Sequence, residues 1–73
     1  MQFHTADVVT CSLVDADGNE TRCVGEFIRG ADPNETVMYK GRKRDAAWVR
    51  LLDGDDEGLT ARVPYETVRH LDR

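Results

Sequence analysis

The sequence predicts an all-β fold: one small five-stranded barrel, domain 1–73, with a short 3-10 or helical turn near the C-terminus. Three observations carry this expectation. Short runs of β-branched and other apolar residues alternate with polar ones at period two. Clusters of Gly, Asp, Asn and Pro interrupt those runs at regular spacing, as turns do. The chain has 73 residues and room for a single core, which at this size contributes only about 3–5 kcal/mol. Closing the sheet on itself then leaves few strand edges open to other chains.

The first strand runs from Ala6 to Val14, where Val9, Cys11 and Leu13 alternate with Val8, Thr10, Ser12 and Val14. Asp15-Ala16-Asp17-Gly18-Asn19 follows as a hairpin turn, with Gly18 free to take the positive φ that such a turn needs. A three-residue loop, Ala16 to Gly18, sets Asp15 opposite Asn19 and Cys11 opposite Cys23; a two-residue turn would set Cys11 against Val24 instead. The returning strand spans Glu20 to Gly30, with Gly25 expected at a bulge or sharp bend.

Gly30-Ala31-Asp32-Pro33-Asn34 is turn chemistry, and Thr36 to Tyr39 is a short strand. Lys40-Gly41-Arg42-Lys43-Arg44 is charged and broken by glycine, and is expected as a basic loop. Ala46 to Leu52 is the next strand, with Trp48 expected in the core. An acidic hairpin loop, residues 53–58, leads to a strand over Leu59 to Val63. Beyond Pro64 the pattern is double. Tyr65, Val68 and Leu71 fall at helical spacing, while a 3-10 turn followed by a short closing strand fits the same residues and is favoured.

Trp48-Val49-Arg50-Leu51-Leu52-Asp53-Gly54, the acidic loop, and then Arg62-Val63-Pro64-Tyr65-Glu66-Thr67-Val68-Arg69-His70-Leu71 resemble the end of SH3-like barrels of the Tudor type. The Asp-Gly hairpin feeding a long strand through Gly25 is similar to Sm-like barrels, although the spacing of Gly25, Asp32 and Asn34 departs from that family's signature and its closing Arg-Gly is absent. Both resemblances imply a five-stranded barrel and leave function open. A Tudor-type aromatic cage would need Tyr39, Trp48, Tyr65 and Phe27 to converge beside the acidic loop.

Ten Lys and Arg against fourteen Asp and Glu give a net charge of -4, which opposes non-specific attraction to nucleic acid or anionic lipid. No apolar run approaches the roughly 20 residues that span a bilayer, so no membrane partner is expected. The opening Met-Gln-Phe-His-Thr-Ala-Asp has neither the basic start nor the apolar block of a secretory signal. The expected location is cytoplasmic, where Cys11 and Cys23 would be reduced thiols.

Several motifs fail on their own chemistry. Residues 15–26 place oxygens at four EF-hand loop positions, but Glu20 stands where the loop requires Gly, and an exiting helix would have to hold Gly25, Gly30 and Pro33. Gly25 and Gly30 have phosphate-loop spacing without the Lys and Ser/Thr that reach phosphate and magnesium. His4, Cys11, Cys23 and His70 lack the close pairs of a zinc site, and nothing marks an orienting group or oxyanion site for Cys-His catalysis. The reading is therefore no enzyme, no catalytic residue, no metal and no cofactor.

Two charged segments remain. Lys40, Arg42, Lys43 and Arg44, with Arg50, lie near Tyr39 and Trp48 in sequence and form a candidate phosphate-gripping cluster. Asp53, Asp55, Asp56 and Glu57 form an acidic loop suited to Arg and Lys on a partner protein. The leading expectation is a regulatory module that docks on a larger protein, with transcription or other nucleic-acid machinery, whose surfaces are commonly basic, as its setting. The alternatives are RNA or single-stranded DNA binding through residues 40–50, and an oligomeric structural subunit or homodimer joined through strand edges. Calcium at millimolar concentration is expected to leave the melting temperature unchanged, since a true ligand raises it by mass action. Thermal unfolding with and without calcium checks this, and a clear rise would restore residues 15–26 as a metal site.

Overall fold

A computed structural model describes residues 3–71. Within them lie β1 (Val8–Val14), β2 (Glu20–Gly30), β3 (Val37–Tyr39), β4 (Arg42–Arg44), β5 (Ala46–Leu51), β6 (Thr60–Pro64), a 3-10 turn (Tyr65–Thr67) and β7 (Arg69–His70). Five strands form one sheet in the order β6-β5-β2-β1-β7, and β3 and β4 form a separate hairpin. The fold is mostly β, and the C-terminal segment takes the 3-10 turn and short strand rather than a helix. Among the described residues no helix is long and apolar enough to cross a membrane.

The first hairpin has the three-residue register. Asp15 N–H donates to Asn19 O at 3.0 Å, Gly18 has φ +85°, and Cys11 lies opposite Cys23. Alternation then fills the core: Val9 and Cys11 from β1, Cys23 and Phe27 from β2, Ala47, Val49 and Leu51 from β5, Val63 from β6, and Val68. Phe3 closes one end, its ring 5.4 Å from that of Phe27 and edge-on to Tyr65 at 5.8 Å. Burial, reinforced by the adjoining Cys23, pushes the Cys11 thiol up to about 12.

Three expectations are corrected. Lys40 to Arg44 is not a loop. Arg42–Arg44 is β4, paired with β3 through a two-residue turn in which Lys40 and Gly41 have φ +52° and +79°. Positive φ at both central residues is the hairpin geometry that matches strand twist, and a solvated two-stranded ribbon has no core face from which charge would be excluded. Trp48 is not core. Ala47, Val49 and Leu51 hold the inward positions of β5, so Trp48 points outward and is half-buried between Arg29 and Arg62, its cross-strand neighbours. Gly25 is not at the bulge, which falls between Phe27 and Arg29. Gly25 instead permits close approach of β5, since a Cβ there would meet Arg50 O at 3.2 Å and Val49 Cβ at 3.4 Å.

The chain returns to β1 through one side chain. Thr67 Oγ1 accepts a hydrogen bond from Ser12 N–H at 3.2 Å and donates to Pro64 O at 2.7 Å. Beyond it β7 pairs with β1, Val9 with His70 and Thr10 with Arg69. Arg22 closes over the same seam, donating to Ser12 Oγ at 3.2 Å, Thr67 O at 2.9 Å and Thr10 Oγ1 at 2.6 Å. Thr67→Val keeps the shape, removes the hydroxyl and leaves two buried backbone groups short of a partner, so a loss of about 1–3 kcal/mol is expected. Urea unfolding measures it. Thr67→Ser is expected to retain most of the stability, and equal stability of all three proteins would rule out this role for the hydroxyl.

Candidate docking surfaces

The acidic loop is a series of tight turns anchored at its base. Leu52 N–H donates to Val24 O at 2.9 Å, and Asp53 Oδ1 accepts from Val24 N–H at 3.0 Å, fastening the loop to β2. Gly54 and Gly58 take φ +80° and +91°, Glu57 N–H bonds Gly54 O at 3.3 Å, and Leu59 N–H bonds Asp56 O at 3.0 Å. The four predicted acids therefore divide by role. Asp53 holds the loop, while Asp55, Asp56 and Glu57 are exposed.

Facing this loop is the β1–β2 turn. There Asp15 Oδ1 accepts from both Asp17 N–H and Asn19 N–H at 2.9 Å, so the carboxylate that mimics a calcium ligand in sequence is a turn cap. Between loop and turn lies a pocket of about 470 Å³. Leu13, Leu51 and Cys23 contribute its apolar surface, Asp15, Asp53, Asp55 and Asp56 its acidic groups, and Arg22 its one cation. The Arg22 guanidinium donates to Thr10, Ser12 and Thr67. Asp15 and the apolar residues were absent from the predicted site, because only the hairpin register places them beside the acidic loop.

Of the predicted basic cluster, Lys40, Arg42, Lys43 and Arg44 share the β3–β4 hairpin, and Arg50 stands apart. Arg50 lies on β5 and donates to Glu26 Oε1 at 3.0 Å. Arg44 Nε is 3.4 Å from Glu66 Oε1, and the Lys40 ammonium lies 5.3 Å from the centre of the Tyr39 ring. Arg42 and Lys43 are exposed on β4 and make no ion pair among the described residues. The hairpin that carries them borders a groove of about 610 Å³ with Val14, Val37, Met38 and Pro64, where Asp15 and Glu20 face Lys40 and Arg62. Its mixed charge favours neither sign of ligand.

The aromatic residues fall into more than one group. Phe27 is buried against Phe3, and Tyr65 meets the edge of Phe3. Trp48 has Arg29 and Arg62 guanidinium carbons 5.9 and 5.8 Å from its ring centre. Glu35 supports that cluster by accepting from Asp32 N–H at 2.9 Å and pairing with Arg29 at 3.4 Å; the Asp32 bond chiefly, then Arg29 and the Trp48 indole, holds its carboxyl below the usual range. Of the four aromatics of a Tudor-type cage, Phe27 and Tyr65 thus share Phe3 as a neighbour, while Trp48 lies between two arginines and Tyr39 beside Lys40. Cys11 and Cys23 face each other in the core, while His4 Nδ1 and His70 Nε2 lie 3.8 and 3.2 Å from Asp7 Oδ2 at the surface. No family model, curated protein or solved structure matches this chain.

Division of labour within the acidic loop has a measurable consequence. Asp53→Ala leaves the Val24 N–H without its acceptor and is expected to cost about 1–2 kcal/mol, comparable to losing a helix cap. Asp55→Ala and Asp56→Ala are expected within about 0.5 kcal/mol of the parent. Denaturant unfolding of the three variants tests this, and equal stabilities would remove Asp53 from its anchoring role.

Proposed function

We propose that this chain is a non-enzymatic docking module with an SH3-like barrel arrangement, and that it binds a basic segment of a larger protein in the acid-rimmed pocket. The observation that carries this reading is the pocket's composition: four carboxylates stand around a small apolar floor formed by Leu13, Leu51 and Cys23. A Lys or Arg side chain suits such a site, because its aliphatic stem covers apolar surface while its charged head meets carboxylates. The barrel reading is supported by β7 returning to β1 directly after the Val63-Pro64 step and the 3-10 turn, in the order seen for Tudor-type chains.

The competing reading, nucleic-acid binding through residues 40–50, loses Arg50 to Glu26 and Arg44 to Glu66, and leaves Arg42 and Lys43 as its strongest contacts. The net charge of -4 also opposes approach of a polyanion. Backbone amide shifts distinguish the readings when the protein is titrated with a Lys-Leu repeat peptide and, separately, with a single-stranded DNA oligonucleotide. The peptide is expected to shift Leu13, Cys23, Gly54 and Asp55, and Asp55→Lys with Asp56→Lys should slow its association and flatten its salt dependence. Arg42→Glu with Lys43→Glu should change peptide binding little. Oligonucleotide binding at physiological ionic strength that shifts residues 42–44 and is lost in the second variant would overturn the proposal.

A further inference from the structure

Cys11 and Cys23 lie side by side in the core, and the docking reading does not use their thiols. Asp15 N–H donates to Asn19 O, and hydrogen-bonded pairs recur every second residue along an antiparallel ladder, so Cys11 and Cys23 form such a pair. Cα atoms in pairs of this kind sit about 5.5 Å apart, within the span of about 4.4–6.8 Å that disulfides occupy, while their Cβ atoms, at the wide end of about 4.5–5.5 Å, must draw together toward about 3.8 Å for the bond to form. The two Sγ atoms are 3.5 Å apart, and both thiols are free. They differ in access. Cys11 is fully buried, whereas Cys23 is 8 % exposed and contributes to the pocket beside the acidic loop.

We propose that Cys11 and Cys23 are a reversible dithiol–disulfide pair, and that Cys23, reached through the acid-rimmed pocket, reacts first with a small cationic disulfide. The Cys23 thiolate attacks one sulfur of R–S–S–R, forming Cys23–S–S–R and releasing RS⁻, which takes up the proton that Cys23 lost. Cys11 then attacks the Cys23 sulfur, the second S–S bond breaks, and the departing RS⁻ takes the Cys11 proton. The two protein thiols lose two electrons and two protons in all, and the reagent leaves as two RSH. The carboxylates of Asp15, Asp53, Asp55 and Asp56 select the reagent's charge by concentrating cations at the pocket and repelling anions. Burial of Cys11 keeps it unreactive until the mixed disulfide brings an electrophilic sulfur to it. This inference rests on the register and the pocket and holds whether or not a basic protein docks there.

The test exposes the folded protein to cystamine or to oxidised glutathione at equal concentration, with intact mass and peptide mapping over time. Cystamine is expected to give a product lighter by two hydrogens with Cys11 linked to Cys23, formed roughly tenfold faster than with oxidised glutathione. Added salt, or Asp55→Asn with Asp56→Asn, should shrink that ratio, and dithiothreitol should restore the thiols. Cys11→Ser should stop at a stable cystamine adduct on Cys23, and Cys23→Ser should stay unmodified while folded. The wild-type time course stands alone if either serine variant fails to fold. A disulfide that forms only in denaturant, a first adduct on Cys11, or equal rates with both reagents would overturn the proposal.

Discussion

Thr67 Oγ1 joins the two ends of the fold. It accepts from the backbone of β1 and donates to the last carbonyl of β6, so a single hydroxyl satisfies a strand that has run past its partner and a strand that has just ended. Everything C-terminal to it depends on that junction, because β7 pairs with β1 through only two residues. Arg22 reinforces the seam from β2 with three hydrogen bonds. The core itself is built largely from Val, Ala and Cys, with Leu51 and Phe27 as its bulkier members, so hydrophobic burial per residue is modest and the polar contacts at this junction matter correspondingly more.

The same economy of scale governs the surface. Three arginines pair with carboxylates, Arg50 with Glu26, Arg44 with Glu66 and Arg29 with Glu35, Arg29 also lying by Trp48. The acidic loop behaves differently. Its base is fastened through Asp53 and its backbone turns on itself, leaving the remaining carboxylates exposed. The β1–β2 turn adds Asp15 to this group of carboxylates.

Much of the backbone was legible because its signals are local. Asp15 through Asn19 announces a hairpin, and the left-handed Gly18 sets the register that brings the two cysteines together. Pro64 with the residues after it announces a break, and the 3-10 turn follows. What stayed hidden depends on which face a residue takes. Trp48 is large and apolar, yet its parity on β5 belongs to the outer face, and Ala46 and Ala47 beside it are poor guides to that parity. Lys40-Gly41 reads as loop composition, because Gly41 suits a tight hairpin turn whereas Lys is an uncommon residue at the positive φ that Lys40 adopts. The pocket was half legible: its acids are contiguous in sequence, whereas Leu13, Cys23 and Leu51 come from three strands and meet only after pairing.

The outward placement of Trp48 gives the protein an optical property. The chain holds a single tryptophan, and its indole lies on the solvent face of the β2-β5-β6 portion of the sheet with two guanidinium groups as neighbours. Its ultraviolet emission therefore records the order of those three strands and the cationic field around them. Separation of β6 or β2 from β5 would alter that emission, whereas rearrangements confined to the cysteine-lined interior would leave it largely dark to the observer.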